Sequence, residues 1–303
     1  ASAAGAVFDD GRWYVAASSD SSLNITDLTN AMTAGTNIYL ETTGGQINVN
    51  SAISSSTSGG SLTMTATNSN INLASAVTFN GAGKSLKLKT TYNLMITASI
   101  QTNNADVVLW ADTDQATNLG GLVNLSTGIG INTANGSTTT GLSGGGNIVI
   151  GGGADDGANG GTLNDGIPDN YAHSIVTGMS GIGWATNASS GAIYSGGGNI
   201  TMRGQSGAAI VAPGISFGGG LRMDSGVGKI SLNGIAAASH GIELNFQAGA
   251  VYSTMTSAST SSPAISITGT TAASANTAGV QISYRTNTVV QSTSASGGGV
   301  TIN

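Results

Sequence analysis

Short apolar-x-apolar segments recur along this chain with gaps that alternate between short and long. They begin at Ile38, Ile47, Leu62, Ile71, Leu86, Leu94 and Val107, with gaps of 9, 15, 9, 15, 8 and 13 residues. A short gap joined to its long neighbour spans 24, 24, 24, 23 or 21 residues. Residues two apart point to the same side of a strand, so each segment offers one narrow apolar face. No such segment is long enough to be stable alone. Coiling the chain once per repeat stacks equivalent strands about 4.8 Å apart. The inward residues then become continuous columns of Ile, Leu, Val and Met. A period of 21–24 residues carried through all 303 predicts about 13 coils in a rod roughly 60 Å long.

Composition agrees with this pattern and excludes others. Only 7% of residues are charged, against roughly 25% in an ordinary α/β enzyme, and long helices lack their usual Ala, Glu and Lys. Ser, Thr, Asn and Gly are abundant, as in disordered chains, but disorder does not space its aliphatic residues so regularly. The chain has no cysteine, so it can form neither disulfides nor thiolate metal sites. A formal charge of −6 with only 8 Lys and Arg disfavours nucleic acid and anionic lipid as partners. No stretch is apolar enough for membrane insertion. The first residues lack a basic leader region and the last ones follow a repeat-like strand, as expected of an internal piece or a processed chain.

Asparagine precedes many of the strands. The tetrad Asn-apolar-x-apolar begins at Asn37, Asn70, Asn93, Asn147 and Asn199. Asn tolerates left-handed backbone and can bond its own turn, and stacked Asn residues can form ladders. Beyond residue 111 the period loosens, with Leu221/Met223, Ile230/Leu232, Ile242/Leu244, Ile265/Ile267 and Ile282/Tyr284 continuing it. Two stretches, 151–195 and 253–262, are expected to leave the rod as loop excursions. Neither has the composition of a linker, so residues 1–303 read as a single solenoid domain.

Several segments are similar to those of a known family. Gly11-Arg12-Trp13-Tyr14-Val15, Gly59 to Ala66, Val107 to Asp114, Gly144 to Gly153 and Gly196 to Gly204 resemble filamentous-haemagglutinin-like giant bacterial adhesins. The resemblance is clearest over residues 11–204. It implies an all-β, right-handed parallel β-helix, a hand that the general crossover preference also favours. It further implies a secreted protein at the bacterial cell surface, serving as a structural shaft, and no catalytic residues.

Candidate sites are few. Asp155, Asp156, Asp165 and Asp169, around Asn164-Asp165-Gly166-Ile167-Pro168-Asp169-Asn170, resemble part of the calcium loops of thrombospondin-type and dockerin repeats. Calcium takes six to eight oxygen ligands; the alternative is a polar turn whose carboxylates bond the backbone. Asp112 and Asp114, just after a strand, read as turn caps. Trp184, Tyr171 and Tyr194 are candidate contact residues for a glycan or host-protein receptor, because exposed aromatic rings stack on sugars. Pectin-cleaving enzymes use the same scaffold, and Asp155-Asp156 and Ser239-His240-Gly241 distantly resemble part of their sites, but the Asn-Thr-Asp and Arg-Ile-Lys parts are missing. The expected function is therefore a non-enzymatic adhesin shaft that joins further copies or continuing coils end to end. The alternatives are a binding module whose excursion meets a receptor, and a polysaccharide lyase or hydrolase.

Overall fold

The computed structural model describes residues 3–4, 6–9, 12–15, 22–56, 59–115, 120–134, 144–184, 191–218, 220–245, 253–272, 277–283 and 288–303. Its body is a parallel β-helix with three sheets. Sheet 1 runs through Ile38–Thr43, Leu62–Thr67, Leu86–Thr90, Val107–Ala111, Ile148–Gly152, Ile200–Ser206, Ile230–Ala236, Ile265–Thr271 and Val300–Ile302. Sheet 2 runs from Ile47–Val49 to Val280–Ser283, and sheet 3 from Ile53–Ser55 to Thr288–Ser292, with eight strands each. Each coil contributes one main strand to every sheet, and the chain advances to the next coil in register: Leu62 pairs with Leu86, which pairs with Val107, which pairs with Ile148.

Among the described residues, eight coils are complete and a ninth begins at Val300, rather than the expected 13. The period read near the start does not persist. Successive sheet 1 strands start 24, 24, 21, 41, 52, 30, 35 and 35 residues apart. Lengthened turns account for the difference, and the eight steps rise only about 40 Å.

The core follows the alternation. Ile71, Leu73, Leu94, Ile96, Val123 and Leu125 stack as two inward columns of sheet 2, all buried. Where coils touch at a corner, glycine permits the approach. A Cβ on Gly198 would stand 2.1 Å from the carbonyl oxygen of Gly146, and one on Gly228 would stand 1.9 Å from that of Gly198.

The strand-preceding Asn residues act in a way the tetrads only partly disclosed. Each side-chain oxygen accepts from the backbone N–H of the equivalent residue one coil on. Asn37 accepts from Ser61 (2.9 Å), Asn147 from Asn199 (2.9 Å), and Asn199 from Lys229 (2.9 Å). Ser61 and Asp106 serve the same column, accepting from Ser85 and Asn147. A second column links Asn70 to Asn93 and Asn93 to Leu122. Pairing side chain to backbone satisfies corner N–H groups that the strands leave unpaired.

Both excursions are narrower than the sequence suggests. Within 151–195, Ala172–Ser174 pairs with sheet 1, Ile182–Trp184 belongs to sheet 2 and Gly191–Tyr194 to sheet 3. Among the described residues, 153–171 form the long continuous flap. Within 253–262, Ser253–Ser257 is a sheet 3 strand paired on both edges. Its single inward apolar residue, Met255, is buried, while Ser257 turns inward and donates to the carbonyl oxygen of Gly228. A strand with one apolar residue carries too weak a periodic signal to be read alone.

Before the first coil stand elements that the repeat does not announce. Helix α1 (Ile25–Thr33) is capped by Asn24, whose side chain accepts from Thr26 N–H at 2.8 Å. It buries Leu28 and Met32 and packs over the first strands of sheets 3 and 1. Ala6–Asp9 and Arg12–Val15 form an antiparallel pair, and Arg12–Val15 continues sheet 1 alongside Ile38–Thr43.

Candidate functional site: a flap pinned to sheet 1

The flap leaves sheet 1 after Gly152 and returns at Ala172. It closes on itself through paired backbone bonds between Gly152 and Asn170 (3.2 and 3.1 Å) and from Asp169 N–H to Ala154 (3.1 Å). All four candidate carboxylates lie in it, and each caps the flap's own backbone. Asp155 accepts from the N–H groups of Asp165 (3.2 Å) and Gly166 (2.7 Å). Asp156 accepts from Ala158 N–H and the Asn170 amide, Asp165 from Ile167 N–H, and the buried Asp169 from Gly157 N–H. No group of three or more His, Asp or Glu residues able to hold a metal ion occurs among the described residues. The carboxylates thus bond the flap's own backbone, as the turn-forming alternative describes.

Three side chains on the outside of sheet 1 pin the flap. Trp110 donates its indole N–H to the carbonyl oxygen of Gly153 at 2.7 Å. The Lys87 ammonium donates to that of Gly166. Arg203 donates to those of Pro168 (3.2 Å) and Asn159 (3.3 Å). Lys89 lies 4.2 Å over the Trp110 ring, a cation–π contact. Pro168 lies over Gly151, where a Cβ would stand 3.5 Å from the proline ring and 3.0 Å from the Asn170 carbonyl oxygen. Val108, Val149 and Trp110 occupy outward positions yet are buried, as expected of a sheet face covered by a flap. Burial lowers the Lys87 pKa, assisted by neighbouring Lys89 and opposed by Asp155 and Asp165. Burial also lowers that of Arg203, opposed by Asp169, Tyr171 and Asp165.

No family model, curated protein or solved structure matches the chain. The site is therefore read from its own geometry.

At the base of the flap lies a pair that the sequence did not reveal. Asp112, in left-handed backbone (φ 50°), is buried, and its carbonyl oxygen accepts from Gly153 N–H and Gln115 N–H. Its carboxylate faces His173, which follows the flap and bridges Gly121 through two backbone bonds. Burial, with Asp114 second, pushes the Asp112 carboxyl up to about 7. Burial pushes the His173 imidazole down. Asp112 Oδ1 and His173 Nε2 have no hydrogen-bond partner among the described residues. The residues are 61 apart in sequence, and no local motif joins them.

The candidate contact aromatics do not form one surface. Trp184 is an inward residue of sheet 2, stacked between Leu125 and Phe217 and buried, with its ring against Gly191. Its assignment as a contact residue is corrected: Ile182-Gly183-Trp184 is itself an apolar-x-apolar segment, and the indole fills the core. Tyr171 stays half-buried at the flap's exit, its hydroxyl 3.4 Å from Asn159 Oδ1. Tyr194 faces outward on sheet 3, with the Arg222 guanidinium 5.9 Å from its ring centre. His240 lies two coils beyond the flap, its Nδ1 accepting from Ala278 N–H, so it and Asp155-Asp156 belong to separate turns.

Proposed function

We propose that this chain is a non-enzymatic structural shaft of a secreted bacterial surface adhesin. The observation that carries the reading is the continuity of the inward columns. They remain mainly aliphatic in sheets 1 and 2 from coil to coil, although the turns between them vary widely in length. Such a body derives its stability from nearest-neighbour stacking and tolerates insertions at its corners. Its role is reach and stiffness. The strand Ile148–Gly152 and the first five residues of Ile200–Ser206 lie within the segments that resemble filamentous-haemagglutinin-like adhesins, which supports the surface assignment.

A second reading follows from the flap. It is held by side chains from three different coils and carries Leu163, 62% exposed. This firm attachment supports a glycan- or host-protein-binding module carried on the shaft. Electron microscopy of the purified chain tests the first reading: short rods of uniform width are expected, and compact particles would remove it. Replacing 154–170 with a two-residue turn tests the second. Retained rods with lost cell adhesion would support a binding flap, whereas unchanged adhesion would eliminate it.

A further inference from the structure

Both margins of the flap are fastened at one point. Its first residue, Gly153, donates its N–H to the Asp112 carbonyl oxygen at 2.9 Å. Just beyond its last residue, His173 exchanges backbone bonds with Gly121 at 2.7 and 2.9 Å. Gly121 in turn lies so close to Asp112 that a Cβ on it would stand 2.4 Å from the Asp112 nitrogen. The Asp112 side chain is thus enclosed where the flap enters and leaves, with His173 Nδ1 4.0 Å from its carboxylate. Asp112 Oδ1 and His173 Nε2 find no hydrogen-bond partner among the described residues.

The surrounding charges do not compensate this carboxylate. Asp114, on the same turn, adds a second negative charge. Among the described residues, no Lys or Arg comes within 4.0 Å of Asp112 or His173. On sheet 1, Lys89 lies over the Trp110 ring, while Lys87 and Arg203 are committed to flap carbonyls. In the flap, Asp155, Asp156, Asp165 and Asp169 are engaged with its backbone. On the neighbouring strand, Gln205 stands in register with His173. An ionised carboxylate in such a place bears the cost of desolvation with no donor to offset it, whereas one that keeps its proton is neutral. What the flap covers is apolar: Val108 and Val149 face outward beside Trp110, and all three are buried.

We infer that Asp112 and His173 form a proton-operated latch for the flap. While Asp112 keeps its proton the flap stays closed on sheet 1; loss of that proton releases residues 153–171 and uncovers Val108 and Val149. The latch follows from the flap's geometry alone and is independent of both functional readings. In the open flap Asp112 regains its ordinary 3.8, against about 7 when enclosed, so closure is fully favoured below 3.8 and is lost as pH rises toward 7. His173 acts oppositely, weakening closure as pH falls below its ordinary 6.5. Because the chain has no cysteine, Val149→Cys places a unique thiol under the flap, and its labelling by a maleimide reports opening. Dividing the labelling rate by that of the same thiol in an Asp112→Asn background cancels the thiol's own ionisation. This ratio is expected to rise roughly tenfold or more from pH 5 to pH 8. Removing the opposing group with His173→Gln should steepen the rise below pH 6.5, and an unchanged curve there would overturn the pair. Hydrogen exchange, corrected for its intrinsic pH dependence, should quicken over the same range at 153–171 but not at Ile71–Leu73 or Leu94–Ile96. A ratio that does not move with pH, a thiol that is never labelled, or exchange that quickens equally in sheet 2 would overturn the latch.

Discussion

The carboxylate of Asp112 lies 4.0 Å from the imidazole Nδ1 of His173, and this contact joins the turn after one rung to the exit of the flap. Both groups are largely enclosed, and burial opposes the charged form of each. At neutral pH the base of the flap is therefore held close to the point where its proton content changes.

The sign for Asp112 follows from its raised pKa. The unfolded chain releases this proton near 3.8 and the folded chain near 7. Stability from this group is thus full below about 3.8 and declines as pH rises toward 7. Asp112→Asn is expected to melt like the wild type at pH 4 and to be more stable at pH 8, by on the order of 2 kcal/mol. His173 contributes oppositely: its lowered pKa removes stability as pH falls below its ordinary 6.5. Thermal denaturation of wild type and variant between pH 4 and 8 checks the difference, and parallel curves would refute it.

Trp110→Phe keeps an aromatic ring under the flap but deletes the donor to Gly153. A net loss of roughly 1 kcal/mol is expected, confined to the flap. Hydrogen exchange followed by mass spectrometry should show faster exchange at 153–171 and unchanged protection in the strands of sheet 2.

Gly198→Ala places a methyl group against the backbone of the preceding coil, as the 2.1 Å approach to Gly146 requires. Overpacking of this kind destabilises by about 1–3 kcal/mol. Gly183→Ala, whose nearest neighbour is the Asn124 side chain at 3.8 Å, is the control and should melt within a degree or two of wild type.

Asn147→Ala leaves the N–H of Asn199 without its acceptor, an expected loss of about 1 kcal/mol. Asn147→Asp should recover much of it, because Asp106 performs the same task one coil earlier. Chemical denaturation of the two variants compares them directly.

Met32→Ala opens a cavity beneath the N-terminal helix, with an expected destabilisation of about 2–5 kcal/mol. Hydrogen exchange should locate the loss in α1 and the first coil, leaving the last coils protected, because coils communicate only through their neighbours.

The strand positions were readable wherever an inward residue was large and aliphatic. Ile38, Leu62, Leu86 and Val107 announced sheet 1, and Ile47, Ile71 and Leu94 announced sheet 2. Sheet 3 was harder to see, because strands such as Ser253–Ser257 and Gly130–Asn132 place one aliphatic residue among polar or small ones. Helix α1 escaped notice for a related reason. Its nine residues are too few for a helical period to stand out from a strand-rich background.

The amino-acid sequence by itself determined that this chain coils. Alternation at two residues and recurrence at about 24 leave a packed core only when equivalent strands are stacked. Tertiary structure alone decided how many coils form, where the helix packs, and what the excursions do. Coil number depends on turn lengths that carry no apolar period. The pinning of the flap by Lys87, Trp110 and Arg203, the burial of Trp184 and the meeting of Asp112 with His173 all join residues on different turns. Stacking brings such residues within a few ångströms of one another, while their separation along the chain conceals it.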